Sequence, residues 1–385
     1  MPNQTSLPPC PLAKKCGGCQ MQHVPYDRQL QYKQDKVKGL LSRYHQVSPI
    51  IGMNDPYHYR NKVQAAFGMT RRREIISGVY QSSSHRIVKV DSCQIEDQIA
   101  DRIIVTIRQL LPEFQILPYQ EDTRKGLLRH VLVRRGFQSG QVMVVLVTAS
   151  PVFSMKKRFT KALVERHPEI TTVVLNINPM KTSLVLGERE EVLYGDGYIE
   201  DTLCDLVFRI SPRSFYQINP TQTEILYRKA IDLAALTGTE RVLDAYCGIG
   251  TIGLIASKHA AEVVGVEVNG DAVRDARINA KRNGIRNAQF IKADASRYMV
   301  ELANEGQPID VVFMDPPRAG SDLPFLQSLV TLAPKRVVYI SCNPETQARD
   351  LRVLTQNGYR VTRLQPVDMF PHTTHIECIA ALERK

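Results

Sequence analysis

Residues 244–253 read DAYCGIGTIG, and this stretch decides the fold. Its glycines at 248, 250 and 253 fit the pattern G-x-G-x-x-G between an apolar run and a helical one. Glycine lets a backbone turn sharply and approach a ligand closely. Glu267 ends the next apolar run, where a carboxylate can accept hydrogen bonds from ribose hydroxyls. The stretch therefore predicts a strand–turn–helix unit in which Gly248, Gly250 and Glu267 bind a nucleotide cofactor.

Around this turn, short apolar runs alternate with amphipathic segments, which is the rhythm of a doubly wound α/β sheet. Seven strands are predicted, at residues 241–246, 262–267, 289–293, 310–314, 336–341, 360–366 and 377–382. Helices fit between them, for example at residues 271–283. Such sheets bind ligands at the carboxyl ends of their parallel strands, so we expect the chemistry there.

The glycine turn alone permits two kinds of site, that of a dinucleotide oxidoreductase or that of an S-adenosylmethionine enzyme. A dinucleotide turn opens a pair of half-sheets, whereas this turn opens a single seven-strand domain. The fourth predicted strand ends in DPPR (residues 315–318), which places Asp315 and a φ-restricted turn beside the pocket. Asp294 ends the third strand and is expected at the adenine, with a helix N-cap as its alternative role. These features favour S-adenosylmethionine.

Two residues at predicted strand ends can react with a substrate. Cys342 follows the fifth strand, whereas a structural cysteine is expected inside a strand. Oriented dipoles and a neighbouring base can activate such a thiol as a nucleophile. Glu377 begins the last strand and is a candidate general base, with an exposed strand residue as the alternative.

The basic charge of the chain is concentrated in its first half. Residues 1–204 hold 28 Lys or Arg and 19 Asp or Glu, whereas residues 205–385 hold 22 and 20, for a net charge of +11. This excess predicts a surface that meets a polyanion, with an ordinary solvated surface as the alternative. Its clusters are Arg71–Arg73, Arg124 with Lys125, Arg129, Arg134 with Arg135, and Lys156–Arg158. Short β-rich runs fill residues 56–204, which predicts an α+β domain.

Four cysteines stand apart from the sheet segment, namely Cys10, Cys16, Cys19 and Cys93. Disulfides are rare in cytosolic proteins, and four thiolates suit either an iron–sulfur cluster or structural zinc. The spacing does not separate these two metals. It differs from the C-x3-C-x2-C pattern of radical S-adenosylmethionine enzymes, which argues against radical chemistry.

No apolar run approaches the roughly 18 residues that a membrane span requires. The N-terminal stretch MPNQTSLPPCPLAKKC has no apolar core of a secretory signal. A cytoplasmic protein with no membrane partner is therefore predicted.

Several motifs taken together resemble the RNA uracil-C5 methyltransferase family. They are CPLAKKCGGCQMQHVPYDRQLQYK (residues 10–33), SPRSFYQINPTQTEILY (211–227), DAYCGIGTIG (244–253), DPPRAG (315–320), SCNPET (341–346) and DMFPHTTHIE (368–377). They occur in the family's order and cover nearly the whole chain. The resemblance implies a Rossmann-like class I methyltransferase domain at residues 205–385. An iron–sulfur segment (1–55) and a β-rich RNA-binding domain (56–204) precede it.

The resemblance also implies a mechanism and a set of site residues. The thiolate of Cys342 adds to carbon 6 of uracil, carbon 5 takes the methyl group, and Glu377 removes the carbon 5 proton. Gln217, Tyr246 and Asp315 join Glu267 in binding S-adenosylmethionine. The same resemblance favours a 4Fe–4S cluster over zinc at the four cysteines 10, 16, 19 and 93.

The implied partner is RNA, most of all 23S ribosomal RNA or a ribosome assembly intermediate, with transfer RNA as the alternative. Many family members begin with a small β-barrel domain, whereas this chain starts almost directly at Cys10, so RNA selection is expected to rest on residues 1–204. A cytosine-C5 methyltransferase carries its cysteine in the fourth-strand motif, where this chain has DPPR. An NAD oxidoreductase or a non-catalytic RNA-binding protein would not need Cys342 and Glu377 together. A monomer is expected.

Overall fold

The computed structural model describes residues 7–82, 84, 86–182 and 184–385. The helices are α1 (Ala13–Cys16), α2 (Tyr26–Leu41), α3 (Gln98–Glu113), α4 (Lys156–Arg166), α5 (Pro220–Ala234), α6 (Thr251–Ala256), α7 (Gly270–Arg282), α8 (Ala295–Glu305), α9 (Leu323–Leu332) and α10 (Pro344–Gln356). The strands are β1 (Lys62–Met69), β2 (Ile75–Tyr80), β3 (Ile87–Lys89), β4 (Leu128–Arg135), β5 (Val142–Thr148), β6 (Ile170–Ile177), β7 (Arg189–Tyr194), β8 (Ile199–Leu203), β9 (Leu206–Ile210), β10 (Arg241–Asp244), β11 (Glu262–Glu267), β12 (Ala288–Lys292), β13 (Val311–Met314), β14 (Arg336–Ser341), β15 (Tyr359–Val367) and β16 (Glu377–Arg384).

The chain forms two compact units. The first contains the described residues up to His23 together with Asp55–Thr202 and Arg209–Arg213. The second contains Val24–Asn54, Leu203–Phe208 and Ser214–Lys385. The sequence placed α2 with the cysteine segment, whereas α2 belongs to the second unit because Val37 and Leu41 are buried in that unit's core.

The first unit is built on a seven-stranded sheet in the order β3-β2-β1-β4-β5-β6-β7. Its pairs are antiparallel except β5 and β6, which are parallel and joined through α4. Helices α3 and α4 pack their apolar residues against this sheet. Asp97 starts α3 by accepting the backbone N–H groups of Ile99 and Ala100, each at 3.0 Å, which satisfies two unpaired helix donors.

The second unit is built on a seven-stranded sheet in the order β12-β11-β10-β13-β14-β16-β15. All seven strands predicted from the sequence are present, and β10 to β14 are parallel to one another. The sheet is not parallel throughout, because β16 runs antiparallel to both β14 and β15. A parallel crossover needs a dozen or more connecting residues, and only residues 368–376 join β15 to β16.

The antiparallel direction of β16 has one consequence for the site. Its first residue, rather than its last, lies at the edge where β14 ends. Ser341 of β14 is opposite Cys378 of β16, so Cys342 and Glu377 are the next residues at that edge. Strands β8 and β9 form a separate two-stranded sheet. None of the described helices is long and apolar enough to cross a membrane.

Candidate active site

Two glycines of the turn, Gly248 and Gly250, differ in the space around them. Gly250 has a φ of +84°, and a Cβ there would lie 2.8 Å from the Phe290 ring. Gly248 has a φ of +54°, and a Cβ there would meet no heavy atom within 4 Å. Packing and backbone conformation therefore both require glycine at 250, whereas Gly248 borders open space that a ligand can occupy.

Glu267 ends β11 beside this open space. Its Oε2 accepts the backbone N–H of Gly248 at 3.1 Å, and its Oε1 accepts that of Asn269 at 2.8 Å. Each carboxylate oxygen keeps a further lone pair for another donor. The carboxylate is thus held at the turn with capacity to accept ligand hydroxyl groups.

Two other predicted cofactor residues have defined partners. The Tyr246 hydroxyl lies 3.0 Å from the Ser321 Oγ, and the Tyr246 ring packs at a tilt on Phe325 with centroids 5.5 Å apart. Asp294 accepts the backbone N–H of Arg297 at 3.0 Å and so caps α8. The N-cap role is the one the structure displays for Asp294, and its contact with adenine stays a prediction.

Two acidic groups, of which Asp244 is fully buried and Asp315 partly exposed, lie where β10 and β13 end. Burial raises the pKa of Asp315 to about 7. Burial also raises the pKa of Asp244 to about 7, and the charge of Asp315 adds to this effect. The buried Gln217 side chain hydrogen-bonds the Tyr227 hydroxyl, whose pKa is raised by burial and by Asp315. Gln217 and Asp315 are thus linked through Tyr227, a residue to which the sequence assigned no role.

Cys342 and Glu377 interact electrostatically at the sheet edge. Burial, together with the charges of Glu377 and Asp315, raises the pKa of Cys342 to about 11. The Glu377 side chain is buried, and its Oε2 has no hydrogen-bond partner in the part of the chain that the structure describes. Burial raises the pKa of Glu377 well above its ordinary value, with Asp315 adding to the shift. A thiol and two acids of raised pKa therefore share one site.

Arg318 supplies the positive charge of this cluster. Its guanidinium lowers the pKa of both Cys342 and Glu377, against the larger effect of burial. Its Nη2 lies 2.9 Å from the His375 Nδ1, and its carbonyl accepts the Asn343 amide at 3.1 Å. Within the DPPR motif, the sequence pattern predicts no role for Arg318. A role for Arg318 follows only from its electrostatic effect on Cys342 in the folded chain.

Helix α2 holds the loop that leads into Glu377. The buried Lys33 Nζ lies 2.6 Å from Asp368 Oδ1, and it donates to the Phe370 carbonyl at 3.0 Å. The Tyr26 hydroxyl donates to Asp368 Oδ2 at 2.9 Å. Such a fully buried pair needs these additional bonds to offset its desolvation.

A second contact of α2 fixes the middle of the same loop. The Gln29 Oε1 accepts the backbone N–H of His372 at 2.8 Å, and its Nε2 lies 3.2 Å from His372 Nδ1. His372 has a φ of +66°, a conformation that non-glycine residues seldom adopt. The loop therefore depends on α2, more than 300 residues earlier in the chain, for its conformation.

The cysteines of the first unit are brought near one another without forming a metal-binding group. Burial raises the pKa of Cys19 to about 12, and the charges of Cys16 and Cys10 add to it. For Cys93, burial and then Glu96 raise the pKa. Among the described residues, no three His, Cys, Asp or Glu side chains are placed to hold a metal ion.

The loop of Cys93 nevertheless contacts the segment of the other three cysteines. Its neighbour Gln94 donates to the Pro8 carbonyl at 2.7 Å and is hydrogen-bonded to Gln22. The donor set suits a cluster chemically, but the thiols as placed do not form its ligand shell. The iron–sulfur and zinc assignments therefore stay predictions.

The predicted RNA-contacting cations fall into two groups. Arg71–Arg73 are exposed, as a phosphate contact requires. Arg129 is buried, and it donates to the carbonyls of Asn178 and Met180, each at 2.7 Å, so its role is structural. Arg134 is also buried. The prediction that Arg129 and Arg134 belong to the basic surface was wrong, because both lie on the interior strand β4.

Two neighbouring aromatic residues of the motif at residues 211–227 differ in the same way. Phe215 is 66% exposed, whereas Tyr216 is only 5% exposed. An exposed aromatic ring can stack on an unpaired base. Of the two, Phe215 alone presents its ring to solvent.

Comparison with a solved structure defines the class of this fold. The chain is similar to the tRNA (uracil-54, C5)-methyltransferase of Pyrococcus abyssi, whose crystal structure contains S-adenosyl-L-homocysteine. The TM-score is 0.79 at 29% identity, and the match covers 95% of this chain and 85% of that one. The protein is an α/β methyltransferase, which confirms the predicted fold class.

Sequence comparison defines the family. The model described as tRNA (Uracil-5-)-methyltransferase matches residues 25–385. An uncharacterized RNA methyltransferase of Halalkalibacterium halodurans is 46% identical over 382 residues, covering 98% of this chain and 83% of its own. One of Caldanaerobacter subterraneus is 46% identical over 381 residues, covering 98% and 84%. The chain belongs to the tRNA (Uracil-5-)-methyltransferase family, which confirms the predicted family and enzyme class.

Proposed function

We propose that this protein transfers a methyl group from S-adenosylmethionine to carbon 5 of a uridine in RNA, through a covalent adduct at Cys342. The observation that carries the proposal is the pairing of Cys342 with Glu377 at the edge where β14 ends and β16 begins. The relative from Pyrococcus abyssi, named for the same carbon of a transfer RNA uridine, supports it.

The reaction requires a nucleophile because carbon 5 of uracil is not reactive enough to take a methyl group unaided. The Cys342 thiolate adds to carbon 6, and the electrons of the 5,6 double bond move into an enolate. Carbon 5 of the enolate then forms a bond to the methyl carbon, while the bond from that carbon to the positively charged sulfur of the donor breaks and leaves its electron pair on sulfur. Arg318 favours the thiolate, because its charge lowers the pKa of Cys342.

Release of the product requires a base. Glu377 removes the proton from carbon 5, the double bond re-forms, and the bond between carbon 6 and the Cys342 sulfur breaks. The raised pKa of Glu377 suits this role, since a carboxylate of high pKa is a stronger base than an ordinary one. Its Oε2, without a partner among the described residues, is the acceptor for that proton.

The methyl donor fits the residues beside the glycine turn. S-adenosylmethionine, when bound, supplies a methyl group on a positively charged sulfur. We assign its binding to Glu267, Tyr246, Gln217 and Asp315, with Gly248 giving it room and Gly250 allowing the turn beside it. Asp294 is assigned to the adenine, using the carboxylate oxygen that does not cap α8.

For the target we propose 23S ribosomal RNA or an assembly intermediate, on the resemblance of the cysteine segment, with transfer RNA as the alternative. The protein is proposed to act as a monomer in the cytoplasm. A 4Fe–4S cluster on Cys10, Cys16, Cys19 and Cys93 would order the N-terminal segment of the first unit. Iron and sulfide analysis of protein purified without oxygen tests it, and zinc at four thiolates would reject it.

The decisive experiment uses RNA that contains 5-fluorouridine. Fluorine cannot be removed as a proton is, so methylation should stop at the covalent adduct. We expect the wild-type protein to form a protein–RNA adduct that survives denaturing electrophoresis, and Cys342→Ala to form none.

The matched control is Cys204→Ala, which removes a buried thiol from the turn between β8 and β9 rather than from the sheet edge. It should trap RNA like the wild type. Trapping by Cys342→Ala, or none by the wild type with either ribosomal or transfer RNA, would reject the mechanism. Comparing the two RNAs also identifies the target.

A further inference from the structure

A basic groove lies on the second unit, away from the residues assigned to the reaction. It has a volume of about 720 Å³ and is formed by the second half of α7, the turn after it and strand β12. Its lining includes the cations Arg277, Lys281 and Arg286, and no acidic residue. All three cations are exposed.

One of these cations is held in place by the edge of the sheet. Strand β12 is an edge strand and pairs only with β11. The Arg277 Nε and Nη2 both donate to the Phe290 carbonyl, at 3.1 and 2.7 Å. A guanidinium fixed in this way loses less entropy when it binds an anion than a freely moving side chain does.

Nearby carboxylates do not neutralise the groove. Asp271 pairs with Arg274, which lies before Arg277 in α7, and the buried Asp275 accepts the Ser214 hydroxyl. Glu262, which accepts a hydrogen bond from the lining residue Gln289, is paired with Arg241. In the part of the chain that the structure describes, Arg277, Lys281 and Arg286 form no ion pair with a carboxylate. The groove therefore carries an uncompensated positive charge.

The dipole of α7 accounts for only one of these three cations. Cations in the last helical turn stabilise the helix C-terminus, and Lys281 lies there. Arg286 lies beyond the end of the helix, and Arg277 lies more than a turn before it. Their shared property is the groove that they line.

The groove is also distinct from the reaction edge. It runs along residues 288–291 of β12 at the edge of the sheet, whereas Asp315 and Cys342 follow the ends of β13 and β14. The sheet order places β12 three strands from β13, roughly 14 Å at the usual strand spacing. A molecule that contacts both must be long.

We propose that this groove binds the phosphate backbone of the substrate RNA outside the target nucleotide. The assignment rests on the proposed function, which makes RNA the polyanion that this protein meets. Three cations without a carboxylate beside an open edge strand match a chain of phosphates rather than a neutral ligand. Contacts of this kind set position and affinity without reading sequence.

The test is the salt dependence of RNA binding by Lys281→Gln/Arg286→Gln. The probe is transcribed 23S ribosomal RNA, with fluorescein-labelled poly(U) as a second probe. Each phosphate contact contributes about 0.7 to the slope of log affinity against log salt for single strands, so two should lower it by about 1.4. Affinity should fall several-fold in about 50 mM salt. Lys38→Gln/Arg352→Gln, which removes the same charge from exposed positions on α2 and α10, should change little.

An affinity and a slope equal to those of this control, for both probes, would overturn the proposal. So would a loss of thermal stability without a change in RNA binding, which would mean that the cations only stabilise α7. The 5-fluorouridine experiment on the wild type decides the proposed function separately. Weakened RNA binding by the groove variant would stand even if no adduct formed.

Discussion

Buried acidic groups around a thiol define the site at the scale of single residues. Burial raises the pKa of Cys342, Glu377 and Asp315; Glu377 and Asp315 also raise that of Cys342, and Asp315 raises that of Glu377. Arg318 is the opposing charge that lowers the pKa of Cys342 and Glu377. Such strongly shifted groups cluster at functional sites. Ionisation of the acids in this site therefore lowers the stability of the folded protein.

Replacement of Glu377 by glutamine should raise stability above neutral pH and leave it unchanged near pH 4. The folded pKa of Glu377 lies above its ordinary value, so its contribution is present at low pH and is lost as pH rises through that pKa. Glutamine imitates the protonated form at every pH. The measurement is the Tm of Glu377→Gln minus that of the wild type, from thermal melts at about pH 4 and pH 8. This difference should be a few degrees larger at pH 8, since ~1 kcal/mol shifts Tm by roughly 2–4 °C for a unit of this size.

The control for this prediction is Glu383→Gln, on the same strand but partly exposed and paired with Arg360. Its melting temperature should not gain at alkaline pH. An equal gain in Tm over the wild type at both pH values would contradict the raised pKa of Glu377.

A helix and a loop cooperate at the scale of secondary structure elements. Strand β16 presents Glu377 at the sheet edge only because it is antiparallel, and residues 368–376 make the reversal. Helix α2 fixes this loop through Lys33 with Asp368 and through Gln29 with His372. We therefore regard Lys33 as a positioning residue for Glu377.

The variant Lys33→Met should lower the free energy of unfolding by about 3–5 kcal/mol, because it leaves the Asp368 carboxylate buried without its cation. Replacing both residues, as Lys33→Met/Asp368→Leu, should recover most of this loss. Denaturant unfolding measures both. Lys36→Met on the same helix removes only an exposed pair with Glu345 and should cost less than about 1 kcal/mol.

The positioning role of Lys33 is tested separately, by following adduct formation and release in Lys33→Met below the melting temperature of that variant. If the loop misplaces Glu377, Lys33→Met should form the adduct on ordinary RNA and release it slowly, as Glu377→Gln would. A folded Lys33→Met protein with normal turnover would reduce Lys33 to a purely structural residue.

At the scale of the whole molecule, the charge distribution separates the halves of the chain. Residues 1–204 carry an excess of nine basic residues, with 28 against 19 acidic, and residues 205–385 an excess of two, with 22 against 20. The exposed Arg71–Arg73 cluster follows β1 in the first unit. A basic surface of this kind makes RNA binding salt-dependent and largely independent of sequence.

Neutralising Arg71, Arg72 and Arg73 to glutamine should weaken binding to ribosomal and transfer RNA alike. The salt slope should fall by up to about 2, because three phosphate contacts at ~0.7 each are removed. Filter binding or anisotropy across a salt series measures it. The control variant neutralises the exposed Arg102, Lys161 and Lys181 instead. Equal effects of the two triple variants would mean that net charge, rather than this cluster, governs binding.

Much of the fold and part of the site could be predicted from local patterns. The seven strands of the second unit, the glycine turn and Glu267 follow from hydrophobic periodicity and from glycine conformations, which neighbouring residues determine. The ordered motifs were enough to predict the family, which the comparisons confirm. The candidates Cys342 and Glu377 were found as residues at strand ends.

The tertiary structure alone decided which of these residues meet. The antiparallel direction of β16 sets Glu377 beside Cys342, and strand direction depends on a loop whose conformation α2 holds. The charge of Arg318 acts on both residues because of proximity in space, which no spacing along the chain encodes. Burial, which raises the pKa values of the site, is likewise a property of the packed molecule. Sequence determined the elements and their chemistry, and long-range packing determined the active arrangement, because electrostatic interactions depend on distances that only the folded chain sets.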